Sequence, residues 1–118
     1  MPLTESDQPY IKTDTGLEYR SLEEGEGDKP EVSSTVTVHY MGCFEDGEQF
    51  DSSYDRNEPT TFPLSGVIPG WTEGLQLMNP GSKYQFKIPY QLGYGEAGYP
   101  DVIPPKATLY FEIELISF

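Results

Sequence analysis

Cysteine and histidine are almost missing from this sequence: Cys43 and His39 are the single examples of their kinds. One cysteine excludes an intrachain disulfide, and a lone thiol inside a strand-like stretch is more often a small buried hydrophobe than a nucleophile. One histidine excludes a histidine-rich metal site. The two share a strand parity, but no third group is evident to orient a Cys-His dyad. Positive charge is the next scarcity. Lys plus Arg number 7 against 20 Asp plus Glu, a formal charge of -13 that repels nucleic-acid phosphates and anionic membranes. No run is long and apolar enough to span a bilayer. The opening Met1 to Gln8 has neither a basic region nor an apolar stretch of the signal-peptide kind. The expectation is therefore a cytoplasmic chain with no membrane and no nucleic-acid partner.

What remains is ample for a fold. The 118 residues are 36% hydrophobic and 14% aromatic, more apolar surface than disordered acidic chains carry and enough for one core. Residues 1–15 are polar and aperiodic and read as a flexible leader, with the domain occupying 16–118. Leu17 to Leu22 alternates as a short strand, and the Gly-punctuated run Glu23 to Pro30 reads as a solvated acidic loop. From Thr35 to Phe44 the alternation is clean, with Val36, Val38 and Tyr40 on one face. Asp46-Gly47 then supplies a hairpin turn. A polar stretch from Ser52 to Pro59 leads into Thr61-Phe62-Pro63-Leu64, where Pro63 fits only an edge or irregular position.

The one helix signal runs from Ile68 to Met78, with Pro69 in its first turn and Asn79-Pro80-Gly81 as its stop. Ile68, Trp71, Leu75 and Met78 form its apolar face, and its two internal glycines require support from packing. Lys83 to Ile88 and Thr108 to Ile116 alternate as strands. The long connection between them, Pro89 to Lys106, is rich in Tyr, Gly and Pro, and connections of that length in compact domains are usually functional or disordered. Its aromatics favour a structured loop overhanging something. The fold class expected is α+β, an antiparallel sheet packed on one short α-helix.

No phosphate loop, Ser-His-Asp set or cluster of metal ligands occurs, so no cofactor and no metal are expected. Large aromatics do occur on separate elements: Tyr40, Phe50, Trp71 and Phe111. A pocket and an ordinary core would use them equally well, and residue type alone does not choose between the two.

The segments carrying these aromatics resemble the FKBP-type peptidyl-prolyl isomerases, particularly bacterial members, from about Gly16 to Phe118. Val36-Thr37-Val38-His39-Tyr40-Met41-Gly42 resembles the family's second-strand motif, and Gly47-Glu48-Gln49-Phe50-Asp51-Ser52-Ser53-Tyr54-Asp55-Arg56 its pocket wall. Val67-Ile68-Pro69-Gly70-Trp71-Thr72-Glu73-Gly74-Leu75 resembles the helix entrance, and Leu92 to Glu112 the flap loop and closing strand. The resemblance implies a curved half-barrel sheet wrapped around the helix, and an isomerase that rotates X-Pro bonds and assists protein folding. By carry-over, Trp71 is the pocket floor, while Tyr40, Phe50 and Phe111 are walls. Ile68, with Val67 beside it, offers its backbone N–H, Tyr94 its hydroxyl, and Asp51 is a polar wall residue tied to Tyr40 or Arg56. Arg56, Phe62, Tyr99, Val102 and Ile103 complete the expected substrate-binding set.

Proline-containing peptides and unfolded protein clients are the partners implied, with macrolide inhibitors as further ligands. Thr60 stands where many members carry another aromatic, thinning one wall. The long dimerising helices of some bacterial members are absent from the sequence, so a monomer is expected. Two other classes stay open at this point: a proline-recognising chaperone or binding module without useful turnover, and an acidic protein interacting through its surface charge.

Overall fold

The computed structural model describes residues 3–118. Strand β1 (Ile11–Lys12) and β2 (Glu18–Glu23) are followed by β3 (Thr35–Phe44), β4 (Gln49–Ser52) and β5 (Thr60–Pro63). Helix α1 (Pro69–Leu75) comes next, then β6 (Lys83–Ile88) and β7 (Leu109–Ser117). All strands join one antiparallel sheet in the order β1-β2-β6-β7-β3-β4, with β5 also paired to β3. The sheet stays open. Register shifts between Ser21 and Glu23, Thr37 and Val38, and Gly42 and Cys43 are the irregularities that bend strands and let a sheet curl around a helix.

The alternation seen in the sequence sets the core. Val36, Val38 and Tyr40 of β3 face inward with Leu109, Phe111, Ile113 and Leu115 of β7 and Phe86 and Ile88 of β6. Against them lie Trp71 and Leu75 of α1, with Met78 just beyond it. The helix is shorter than the periodicity suggests, because its backbone closes with a turn at Gln76 to Met78 rather than continuing to the Asn79-Pro80-Gly81 stop. Its glycines have a specific use. A Cβ on Gly74 would come within 2.6 Å of Cε1 of Phe86, and one on Gly70 within 2.8 Å of Cγ2 of Ile88. One helical turn apart, the two glycines form a groove that receives two side chains of β6.

The N-terminal segment departs from expectation. Met1 and Pro2, the first residues of the expected 1–15 leader, lie outside the described residues. From Leu3 onward the chain is laid against the sheet: Leu3 is buried, and Ile11 and Lys12 pair with Tyr19 and Glu18. The Thr4 N–H and hydroxyl donate to the buried Glu112 carboxylate at 2.8 and 3.0 Å. Gln85 Nε2 donates to the Thr4 carbonyl at 2.6 Å and to Glu112 at 2.9 Å. A carboxylate removed from water needs such donors, and the polar leader supplies part of them. Contacts therefore cross the expected boundary at Gly16.

Gly74→Ala tests the groove. Alanine favours an isolated helix by about 1 kcal/mol over glycine. Here the buried Phe86 ring has little freedom to retreat, and overpacking typically costs ~1–3 kcal/mol. Urea unfolding is expected to show net destabilisation; a more stable variant would mean the helix is not held close by this groove.

Candidate functional site

At the N-terminal end of α1 the chain passes through a short 3-10 turn, Leu64–Gly66, before Pro69 opens the helix. Ile68 is the N-cap residue in extended conformation, and its carbonyl accepts the N–H groups of Trp71 and Thr72 at 2.9 and 3.1 Å. The Thr72 hydroxyl donates to the Leu64 carbonyl at 2.7 Å, tying turn to helix. Among the described residues the Ile68 N–H donates to no protein acceptor. Ile68 lines a cavity of about 410 Å3.

That cavity is lined by Tyr40, Phe50, Asp51, Phe62, Gly66, Val67, Ile68, Trp71, Tyr94 and Phe111. Trp71 is almost fully buried at its base. Three rings meet the indole edge-on: Tyr40 at 5.1 Å and 82°, Phe62 at 5.3 Å and 84°, and Phe111 at 5.4 Å and 87°. Phe50 meets Phe111 at 5.6 Å and 88°. Edge-to-face contacts of this kind use the positive ring edge against a negative face and hold rings at fixed angles. Gly42 makes the arrangement possible on the strand side. A Cβ there would lie 2.6 Å from Cζ of Phe50 and 2.7 Å from Cε1 of Phe111.

One wall is polar. The Tyr40 hydroxyl donates to Asp51, Arg56 Nη1 donates to Asp51 at 2.6 Å, and Arg56 Nη2 donates to the Tyr40 oxygen at 3.2 Å. Burial alone would push the Asp51 carboxyl up, but the hydrogen bonds from Tyr40 and Arg56, with the guanidinium charge, outweigh it and hold the group below the ordinary carboxylate range. Burial, and then the bond to Asp51, push the Tyr40 hydroxyl up. Burial and the nearby Asp51 charge do the same to Tyr94. At neutral pH the wall thus holds an ionised carboxylate, a guanidinium and two protonated phenols. Asp51 is a weak proton acceptor in this setting, and both phenols remain donors.

All the residues expected in the catalytic set line this cavity, and so does Phe62. Tyr99, Val102 and Ile103 line an adjoining cavity of about 160 Å3 with Phe50, Asp51 and Tyr94. They come from the long loop, which is folded: Tyr99 and Ile103 form a bridge with both N–H···O contacts at 2.8 Å, and Tyr94 meets Tyr99 at 6.0 Å. Tyr99 and Val102 are exposed, whereas Ile103 is buried and belongs as much to the core. Arg56 lines neither cavity; it braces Asp51 and Tyr40. Gly66 is a lining residue that the sequence does not single out, since a glycine in a turn carries no signal of what it faces. Among the described residues no group of His, Cys, Asp and Glu is arranged to hold a metal ion.

An open antiparallel sheet clasping one helix, with an aromatic pocket at the helix entrance, is the class of domain these features define. The chain belongs to the FKBP-type peptidyl-prolyl cis-trans isomerase family, which matches residues 26–116. It is 52% identical over 105 residues to the FKBP-type peptidyl-prolyl cis-trans isomerase FkpA of Aeromonas hydrophila, covering 89% of this chain and 39% of that protein. It is 51% identical over 105 residues to the FKBP-type 22 kDa peptidyl-prolyl cis-trans isomerase of Escherichia coli strain K12, covering 89% of this chain and 51% of that one. The crystal structure of FkpA from Escherichia coli superposes with a TM-score of 0.88 at 49% identity, over 92% of this chain and 50% of that chain. The chain spans about half or less of the length of these relatives.

The lowered Asp51 pKa fixes the sign of an acid effect. A carboxyl more acidic folded than unfolded contributes stability that is fully present above its ordinary value of about 4 and is lost as pH falls through the folded value. Asp51 and Arg56 are both substantially exposed, so solvent screening keeps the effect small. The difference in urea midpoint between wild type and Asp51→Asn should be constant from neutral pH down to about 5 and shrink below about 4. A difference that widens in acid would contradict the assignment.

Proposed function

We propose that this chain is an active peptidyl-prolyl cis-trans isomerase that rotates X-Pro bonds in peptides and unfolded protein clients, and so assists their folding. The observation that carries the reading is the Trp71 floor with three aromatic rings set edge-on around it, an apolar seat for a proline ring beside a free backbone donor. Uncatalysed rotation faces a barrier of about 18–20 kcal/mol because the planar amide loses conjugation as it twists. The planar form is also the more polar and prefers water. Seating the amide among Tyr40, Phe50, Trp71 and Phe111 removes that water and disfavours the planar state relative to the twisted one.

The neighbouring donors hold the ends of the substrate while its centre turns. The Ile68 N–H stands ready for a substrate carbonyl, and the Tyr94 hydroxyl, kept protonated, donates to flanking backbone. The rotating carbonyl can rest on aromatic C–H edges. No bond to hydrogen breaks. Asp51 serves by orienting Tyr40 and supplying local charge rather than by taking a proton.

The test is a protease-free isomerisation assay on Xaa-Pro peptides. Folded Phe111→Ala and Trp71→Ala are expected to lose about tenfold or more in kcat/KM, equivalent to ~1.4 kcal/mol or more of transition-state stabilisation. A wild-type chain that binds proline peptides without accelerating them would be a recognition module instead.

Asp51→Asn separates this mechanism from proton transfer in the same assay. Its loss should stay below about tenfold; a general acid or base typically contributes ~100- to 10,000-fold. A loss of about a thousandfold would overturn the electrostatic role.

A further inference from the structure

One edge of strand β3 has a gap in its pairing beside the pocket residue Tyr40. On the edge away from β7, β5 pairs with Thr35 to Val38 and β4 pairs with Met41 to Cys43. His39 and Tyr40 fall between the two strands. A single buried residue, Ser53, fills that place. Its N–H donates to the Tyr40 carbonyl at 2.9 Å, as a strand neighbour would. Its hydroxyl oxygen accepts the Tyr40 N–H at 2.7 Å, standing in for the carbonyl a strand would supply. The hydroxyl also meets His39 Nδ1 at 2.9 Å and the Tyr40 carbonyl at 3.3 Å.

The carbonyl of the same serine turns the other way, accepting the N–H of Arg56 at 3.2 Å and of Glu58 at 3.3 Å. These bonds fix the turn that presents the Arg56 guanidinium to Asp51 and to the Tyr40 hydroxyl. Ser53 therefore grips the backbones of two of the three residues that make the polar wall, and the third, Asp51, lies two positions before it. His39 closes the hydroxyl from the far side and is itself stacked on Tyr54 at 4.7 Å and 15°.

We propose that Ser53 is a positioning residue for isomerisation, setting the Tyr40–Asp51–Arg56 wall in place without touching substrate. The assignment rests on the reading of the pocket as an isomerase site. A hydroxyl that merely held the fold together would change stability alone. One that sets the wall changes turnover per folded molecule, through the same groups as Tyr40.

The experiment compares wild type, Ser53→Ala, Ser53→Thr and Tyr40→Phe, with the Ser53→Ala and Tyr40→Phe double variant, on one Xaa-Pro tetrapeptide, with folded fractions fixed by urea unfolding. Trp71, the single tryptophan, lies 5.1 Å from Tyr40 and reports the wall through its emission. Ser53→Ala is expected to lower kcat/KM per folded molecule by about fivefold to tenfold, since small misplacements in a positioned site are costly. It should also shift Trp71 emission, with Ser53→Thr restoring both toward wild type. In the Tyr40→Phe background the Ser53→Ala loss should fall to about twofold or less, because residues acting through one network are not additive.

Unchanged kcat/KM in folded Ser53→Ala, or full additivity with Tyr40→Phe, would falsify the assignment. If Ser53→Ala does not fold, His39→Leu removes one partner of the hydroxyl and leaves the backbone bonds. It should then lose about twofold to threefold, again non-additively with Tyr40→Phe, and additivity would overturn the proposal in the same way. A wild-type chain with no isomerase activity would defeat the reading of the pocket, a result distinct from any of these.

Discussion

The pocket depends on how closely α1 lies against β6. Without side chains at Gly70 and Gly74, the helix settles onto Ile88 and Phe86 at a distance any Cβ would forbid. That approach decides the level at which Trp71 sits, and the indole sets where Tyr40, Phe62 and Phe111 find their edge-on contacts. A helix of only Pro69–Leu75 gains little stability from its own hydrogen bonds. Its place is determined by the surface it covers. The same packing that stabilises the domain therefore forms the cavity floor, and the site is the part of the core left open to solvent.

The second constraint is electrostatic. The aromatic cavity requires a polar wall that does not compete with it, and Asp51, Arg56 and Tyr40 satisfy one another across short bonds. The carboxylate is neutralised locally, although the whole chain carries a formal charge of -13. Long-range repulsion from that charge is screened over a Debye length of about 8 Å at physiological salt. Within the pocket wall the local charge is that of the Asp51–Arg56 pair.

The extent to which the sequence foretells this arrangement follows from what periodicity can record. Alternation along Val36, Val38 and Tyr40, and again along Leu109 to Leu115, states which face of a strand is inward, and the observed burial agrees except at Glu112, which the N-terminal segment covers. Gly47, with its positive φ, marks the hairpin correctly. The aromatic set was legible only as residues of the right kind; the family resemblance placed them around one cavity. Contacts between distant polar groups left no comparable trace. Thr4 and Glu112 are far apart in the chain, so the polar N-terminal stretch reads as a loose leader although it is laid against the sheet. Ser53 sits in a polar, turn-rich run, where nothing distinguishes a serine that completes a strand edge from one that faces water. The resemblance names Arg56 both in the substrate-binding set and as a tie to Asp51, and its guanidinium lies on Asp51 and Tyr40.

The single thiol has a practical meaning. Cys43 is sealed within β3, and burial pushes its thiol up, away from the reactive thiolate form. The pocket lining contains no sulfur, so thiol and thioether oxidation has no target there. Alkylation of Cys43 must wait until the sheet opens. The rate of thiol labelling in the native protein thus becomes a gauge of how often the sheet around Cys43 opens.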